Sequence, residues 1–243
     1  YGLALFNGEG IPLNKNEAIK YWKKGIELND PDCGIAYSEL LIKGNSIPQN
    51  IKEGLQVLKK IADKGNKVAS FKYGEHLLYG DGIEKNFNEA IRYFTISANN
   101  DNPYAMQQLG LLYLAGEKVP INKEKAIDYV KKSASYGIDV SCFYYGYFLL
   151  TGDGVPCDKI EGAKYMLKSV EKDFNYAILH YSYLLYIGEG VEVNNAESEK
   201  YISKANYSNF EPGKAWLYAP TYPTVRFRVS YGSLKVSKYF CIL

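Results

Sequence analysis

Ala69-Ser70-Phe71-Lys72-Tyr73-Gly74-Glu75-His76-Leu77-Leu78-Tyr79-Gly80-Asp81-Gly82-Ile83 contains the plan of the whole chain. Small Ala69 and Gly74 alternate at helical spacing with large Tyr73 and Leu77, as on a helix that lets a neighbour approach closely. Gly80 supplies the left-handed stop. The pattern returns every 36 residues, with its stop glycine at Gly8, Gly44, Gly80, Gly116, Gly152 and Gly188. Equal steps without insertion or deletion mark stacked units, none of which can bury its own apolar face alone.

Working outward in rows of 36, one column reads Tyr1, Tyr37, Tyr73, Leu109, Tyr145, Tyr181 and the next Gly2, Ser38, Gly74, Gly110, Gly146, Ser182. A third reads Leu5, Leu41, Leu77, Tyr113, Leu149, Leu185, which completes a first helix. After the glycine loop, Ile11, Ile47, Ile83, Val119, Val155 and Val191 are expected to plug the turn into the core. A second helix opens at Asn14, Asn50, Asn86, Asn122, Asp158 and Asn194. Glutamate follows three residues later in all but one unit (Lys125), an Asn/Asp variant of the reciprocal capping box. Its interior pairs small Ala18, Gly54, Ala90, Ala126, Gly162, Ser198 with large Tyr21, Val57, Tyr93, Tyr129, Tyr165, Tyr201. It stops near Asn29, Gly65, Asp101, Gly137 and Asp173, and Asp30-Pro31 and Asn102-Pro103 cap the next first helix. The predicted fold is all-α: an α-α superhelical solenoid of helix-turn-helix repeats over residues 1–206, followed by an irregular basic tail over 207–243.

These columns resemble the Sel-1-like repeat family, within the tetratricopeptide-like superfamily. The matching pattern is Ala69, Tyr73, Gly74, Leu77 and Leu78, then Gly80-Asp81-Gly82-Ile83, then Ala90, Tyr93 and Phe94. Asn45-Ser46 and Glu117-Lys118 depart from the second glycine step, and Gly54 and Gly162 replace the second-helix alanine. The resemblance implies a scaffold or adaptor for signalling proteins or membrane-protein quality control. It also implies an alternative, a regulatory array cut from a larger enzyme such as a protein kinase. An enzyme in its own right, with an unrecognised site, is a second alternative.

Composition narrows these classes. The chain has 243 residues, 47% of them apolar and 23% charged, with a net charge of +2. Through Asn206 there are 24 basic and 26 acidic residues, so the repeat body lacks the basic signature of nucleic-acid binding. No run approaches the roughly 20 apolar residues of a membrane span. Tyr1 and Gly2 match Tyr73 and Gly74, so the chain enters mid-repeat and is read as a processed chain or an excerpt of a longer polypeptide. Cys33, Cys142, Cys157 and Cys241 share no period and form no metal-ligand spacing, so free thiols and no metal site are expected. A cytoplasmic setting fits, with the endoplasmic reticulum lumen as alternative.

No catalytic constellation recurs. The Gly-Asp-Gly turns join helices and lack the Gly-Lys-Ser/Thr ending of a phosphate loop. His76 and His180 occupy different columns, with no nucleophile or carboxylate repeating beside them. No cofactor is expected. The informative residues lie on the first helices, outside the small-large pattern, where the concave groove of such an array runs. They are Lys72, Glu75 and Tyr79; Gln107, Gln108 and Leu111; Tyr144, Tyr147 and Thr151; His180, Tyr183 and Ile187. Their character changes from charged to aromatic along the chain, and tyrosine suits interface contacts. The expected partner is therefore a protein or peptide segment, with Tyr144 to Tyr183 as its centre, on a monomeric array. In the tail, Pro212, Pro220 and Pro223 break helices and Val225-Arg226-Phe227-Arg228-Val229 alternates like a strand.

Overall fold

The computed structural model describes residues 1–44, 46–116 and 119–205, and every structural statement below concerns these. The strand-like run at 225–229 lies outside them, as does the rest of the 207–243 segment. The described residues form twelve helices: α1 (Gly2–Asn7), α2 (Lys15–Glu27), α3 (Pro31–Lys43), α4 (Ile51–Ala62), α5 (Lys67–Tyr79), α6 (Phe87–Asn99), α7 (Pro103–Ala115), α8 (Lys123–Ser135), α9 (Asp139–Thr151), α10 (Lys159–Val170), α11 (Asn175–Ile187) and α12 (Asn195–Lys204). They divide between two compact units, one built on Tyr1–Tyr113 and one whose main part begins at Ile121. In the first, α1 packs on α2, α3 on α4 and α5 on α6, while α2 meets α3 and α4 meets α5. In the second, α9 packs on α10 and α11 on α12, while α8 meets α9 and α10 meets α11. This is the helical-pair repeat architecture that the 36-residue period predicts.

The ends of the helices follow from local chemistry. Gly80 ends α5 in the left-handed region at φ 75°, where its N–H returns to the His76 carbonyl. Second helices stop as expected in the same region, even at Asn29, Asp101 and Asp173, with φ of 61°, 58° and 59°. Asn14, Asn50, Asn86, Asn122, Asp158 and Asn194 each accept the backbone N–H three residues on, at 3.0–3.2 Å.

The second half of the expected capping box is different. The glutamate accepts from the cap's side-chain amide in three units, Asn14, Asn50 and Asn194, at 3.2, 2.8 and 3.1 Å. The cap's own backbone N–H is already committed: Asn14, Asn50, Asn86, Asp158 and Asn194 donate it to the carbonyls of Leu5, Leu41, Leu77, Leu149 and Leu185. One residue thus starts the second helix and ties it to the first.

The core is the small-large pattern made physical. Ala69, Ala90, Ala105, Ala126 and Ala177 are sealed from solvent, with Tyr73, Phe94 and Leu109 beside them. Tyr73 meets Tyr93 edge-on at 4.8 Å, and Tyr145 meets Tyr165 at 4.9 Å. The loop residues Ile11, Ile47, Ile83, Val119, Val155 and Val191 are half-buried rather than sealed. Tyr21, at the head of the large second-helix column, stays exposed and meets Tyr1 edge-on at 5.0 Å.

Candidate functional site

In the first unit, α3 and α5 present their exposed sides next to one another and leave a groove of about 310 Å³. Its lining includes Lys72, Glu75 and Tyr79 of the expected set. Their spacing on α5 places them on one face of the helix. Glu39, Ile42 and Lys43 come from α3, Leu58 from α4, and His76 and Asp81 close the end. Gln107, Gln108 and Leu111 are half-buried on α7 and are not among the lining residues.

The charges in this groove are unevenly paired. Glu39 holds Lys72 at 2.7 Å and Lys43 at 3.5 Å. Burial alone would push its carboxyl up, but those two lysines overcome this and hold it below the usual carboxylate range. Glu75 behaves oppositely: burial pushes its carboxyl up, and the charges of Lys72 and His76 only partly pull it back. The His76 Nδ1–H donates to the Asp81 carbonyl at 2.9 Å, with the Asp81 carboxylate 3.5 Å from the same nitrogen. Tyr79 stands 59% exposed at the rim.

The second unit corrects the expected exposure of three residues. Tyr144, Tyr147 and His180 are 2%, 6% and 7% exposed, so they do not stand open to solvent on a groove face. The cause is composition. From Cys142 to Leu150 α9 carries no charged side chain, and every residue from Ser141 to Leu150 is buried, as expected of a helix apolar all round. Phe143 gathers the rings: Tyr144 at 5.4 Å, His180 at 5.3 Å and Phe174 at 5.4 Å. Tyr183 is half-buried, whereas Thr151 and Ile187 are exposed.

Burial also pushes the His180 imidazole down to about 4. Above the unfolded value of 6.5 the ring is neutral in both states, and its burial is free of this penalty. As pH falls, the unfolded chain takes up the proton first, so stability is lost between 6.5 and about 4. The loss attributable to this ring is about 3 kcal/mol. Urea unfolding at pH 7 and pH 4.5 should show it, and His180→Phe should flatten that part of the profile.

Sequence reasoning missed the α3 half of the groove. The available signal was register, since Glu39 lies one period before Glu75. Among the described residues, no three His, Cys, Asp or Glu side chains are grouped to hold a metal ion. No described helix is long and apolar enough to cross a membrane.

Comparison with known proteins gives the repeats a context. The Sel1 repeat matches the chain six times, at residues 1–30, 34–66, 67–102, 103–137, 139–174 and 174–209. A comparison with curated proteins yields no match. Among solved structures, c5321, a protective antigen of uropathogenic Escherichia coli strains with an SLR fold, superposes with a TM-score of 0.77 at 22% identity. That match covers 89% of this chain but 46% of the other, so the chain spans less than half of that protein. A Sel1 repeat protein from Oxalobacter formigenes superposes with a TM-score of 0.76 at 22% identity, over 86% of this chain and 85% of the other. At these identities the likeness concerns the fold.

Proposed function

Because the chain belongs to the Sel1 repeat family, whose arrays generally serve as protein–protein interaction scaffolds, we propose that it is a non-enzymatic adaptor holding a peptide or protein segment in the α3–α5 groove. The observation that carries this reading is the convergence of Lys72, Glu75 and Tyr79 on a groove with Ile42 and Leu58 in its lining. An open groove with apolar contacts and charged edges suits an extended segment, which gains affinity from the former and register from the latter.

The test is a selection of binding peptides on the purified chain, followed by hydrogen-exchange mapping of the complex. Protection should fall on residues 39–43 and 72–81. A Lys72→Ala/Tyr79→Ala variant should keep its helical circular dichroism and lose about tenfold or more in affinity, as expected when central contacts are truncated. Protection elsewhere, or unchanged affinity in the folded variant, would count against the groove.

A further inference from the structure

The repeat register shows what this groove lacks. Glu39 and Glu75 occupy the same position of successive units, 36 residues apart. The two lysines that neutralise Glu39 stand four residues on, at Lys43, and 33 residues on, at Lys72. The corresponding positions for Glu75 hold Tyr79 and Gln108, and neither carries a charge. Among the described residues Glu75 accordingly has no ion-pair partner, although it is half-buried in the groove wall. The nearest cation on its own helix, Lys72, is drawn to Glu39. His76 has its Nδ1–H committed to Asp81.

Resting on the groove reading above, we propose that the α3–α5 groove selects a segment carrying a basic side chain, lysine or arginine, whose cationic head takes the place of the missing lysines beside Glu75. Charge complementarity favours this occupant. Glu39, Glu75 and Asp81 face Lys43 and Lys72 across the lining, so two lysines answer three carboxylates, and both pair with the same one. An acidic side chain would instead meet the Glu75 carboxylate, which no cation pairs among the described residues, in a lining where the Asp81 carboxylate has only His76, at 3.5 Å. Tyr79, one helical turn beyond Glu75, is 59% exposed and offers apolar surface along which the stem of such a side chain can lie. The same position in the preceding repeat is Lys43, so of the two glutamates in this column Glu39 is paired and Glu75 is open to a cation from outside.

The probe is the blocked pentapeptide acetyl-Ala-Ala-Arg-Ala-Ala-amide, with its Lys, Gln and Glu counterparts, titrated into the isotope-labelled full chain and followed by amide chemical shifts. The Arg and Lys peptides should shift residues 39–43 and 72–81 saturably and bind about fivefold more tightly than the Gln peptide, the scale of one partly exposed ion pair. Glu75→Gln, which keeps the side-chain shape, should remove that preference while Glu39→Gln reduces it less. Equal binding of the Arg, Gln and Glu peptides at these residues would overturn the charge selection and leave the groove reading standing. Failure of all four peptides to perturb the groove would overturn both.

Discussion

Gly146→Ala should destabilise the second unit by roughly 2–4 kcal/mol, although alanine in an open helix is favoured over glycine by about 1 kcal/mol. The opposing effect is steric and its partners are backbone. A Cβ on Gly146 would lie 2.8 Å from the Gly162 carbonyl oxygen and 3.1 Å from the Met166 nitrogen. From the other side, a Cβ on Gly162 would lie 2.9 Å from the Gly146 oxygen. At these two glycines the backbones of α9 and α10 come close, so neither helix can yield without moving its neighbour. Gly34→Ala makes the control. There the added carbon meets the Cδ1 tip of Ile61, a flexible end that can turn away. Urea unfolding should place Gly34→Ala within about 1 kcal/mol of the parent, because the propensity gain and a rotamer change nearly cancel. If the two substitutions cost the same, close helix approach is not what fixes the glycine at 146.

The repeat, its stops and its caps were legible because each rests on chemistry within a few residues of the chain. Asn50 caps α4 through Glu53, three residues away, and Gly80 ends α5 by its own φ. Even the left-handed turns at Asn29, Asp101 and Asp173 could be read locally, since Asn and Asp tolerate that region. The groove was half legible. Lys72, Glu75 and Tyr79 stand on one helix and were found by spacing alone. Glu39 and Lys43 were not, because their role arises where two successive repeats of the first unit meet.

Other readings failed where a long-range fact competed with a local one. Tyr144 and Tyr147 of α9 lie outside the small-large columns, so register predicted an open face. The helix has no charged residue across that stretch, and Phe143 collects the rings of α9 and α11. The buried serines Ser97, Ser133 and Ser169 went unread although they keep the 36-residue period. Ser97 donates to the Lys67 carbonyl at 2.6 Å and Ser169 to the Asp139 carbonyl at 2.8 Å, each holding the start of a first helix against its partner. A polar column inside an apolar array was the available signal.

Phe94→Ala should cost the first unit about 3–5 kcal/mol, the usual loss for emptying a sealed aromatic site. Phe94 is fully buried, with Phe71 at 5.8 Å on one side. On the other, Gly74 leaves the space its ring fills: a Cβ there would lie 2.8 Å from Cε1. The repeat shows the same trade elsewhere. Trp22 stands opposite Gly2, where a Cβ would lie 2.7 Å from its Nε1. Where the column holds Ser38 or Ser182, the partner positions hold aliphatic Leu58 and Ile202 instead of a ring. At Gly2 and Gly74 ring and glycine therefore pack as a pair, whereas Gly110 and Gly146 have Val130 and Met166 at the partner position, and a double-mutant cycle can measure the Gly74–Phe94 pair. Gly74→Ala should cost about 1–3 kcal/mol in the parent by overpacking. In a Phe94→Leu background the same alanine enters vacated space and should be neutral or stabilising, so the coupling is about 1–2 kcal/mol. Strict additivity of the two changes, measured by urea unfolding, would mean that Gly74 is set by something other than the Phe94 ring opposite it.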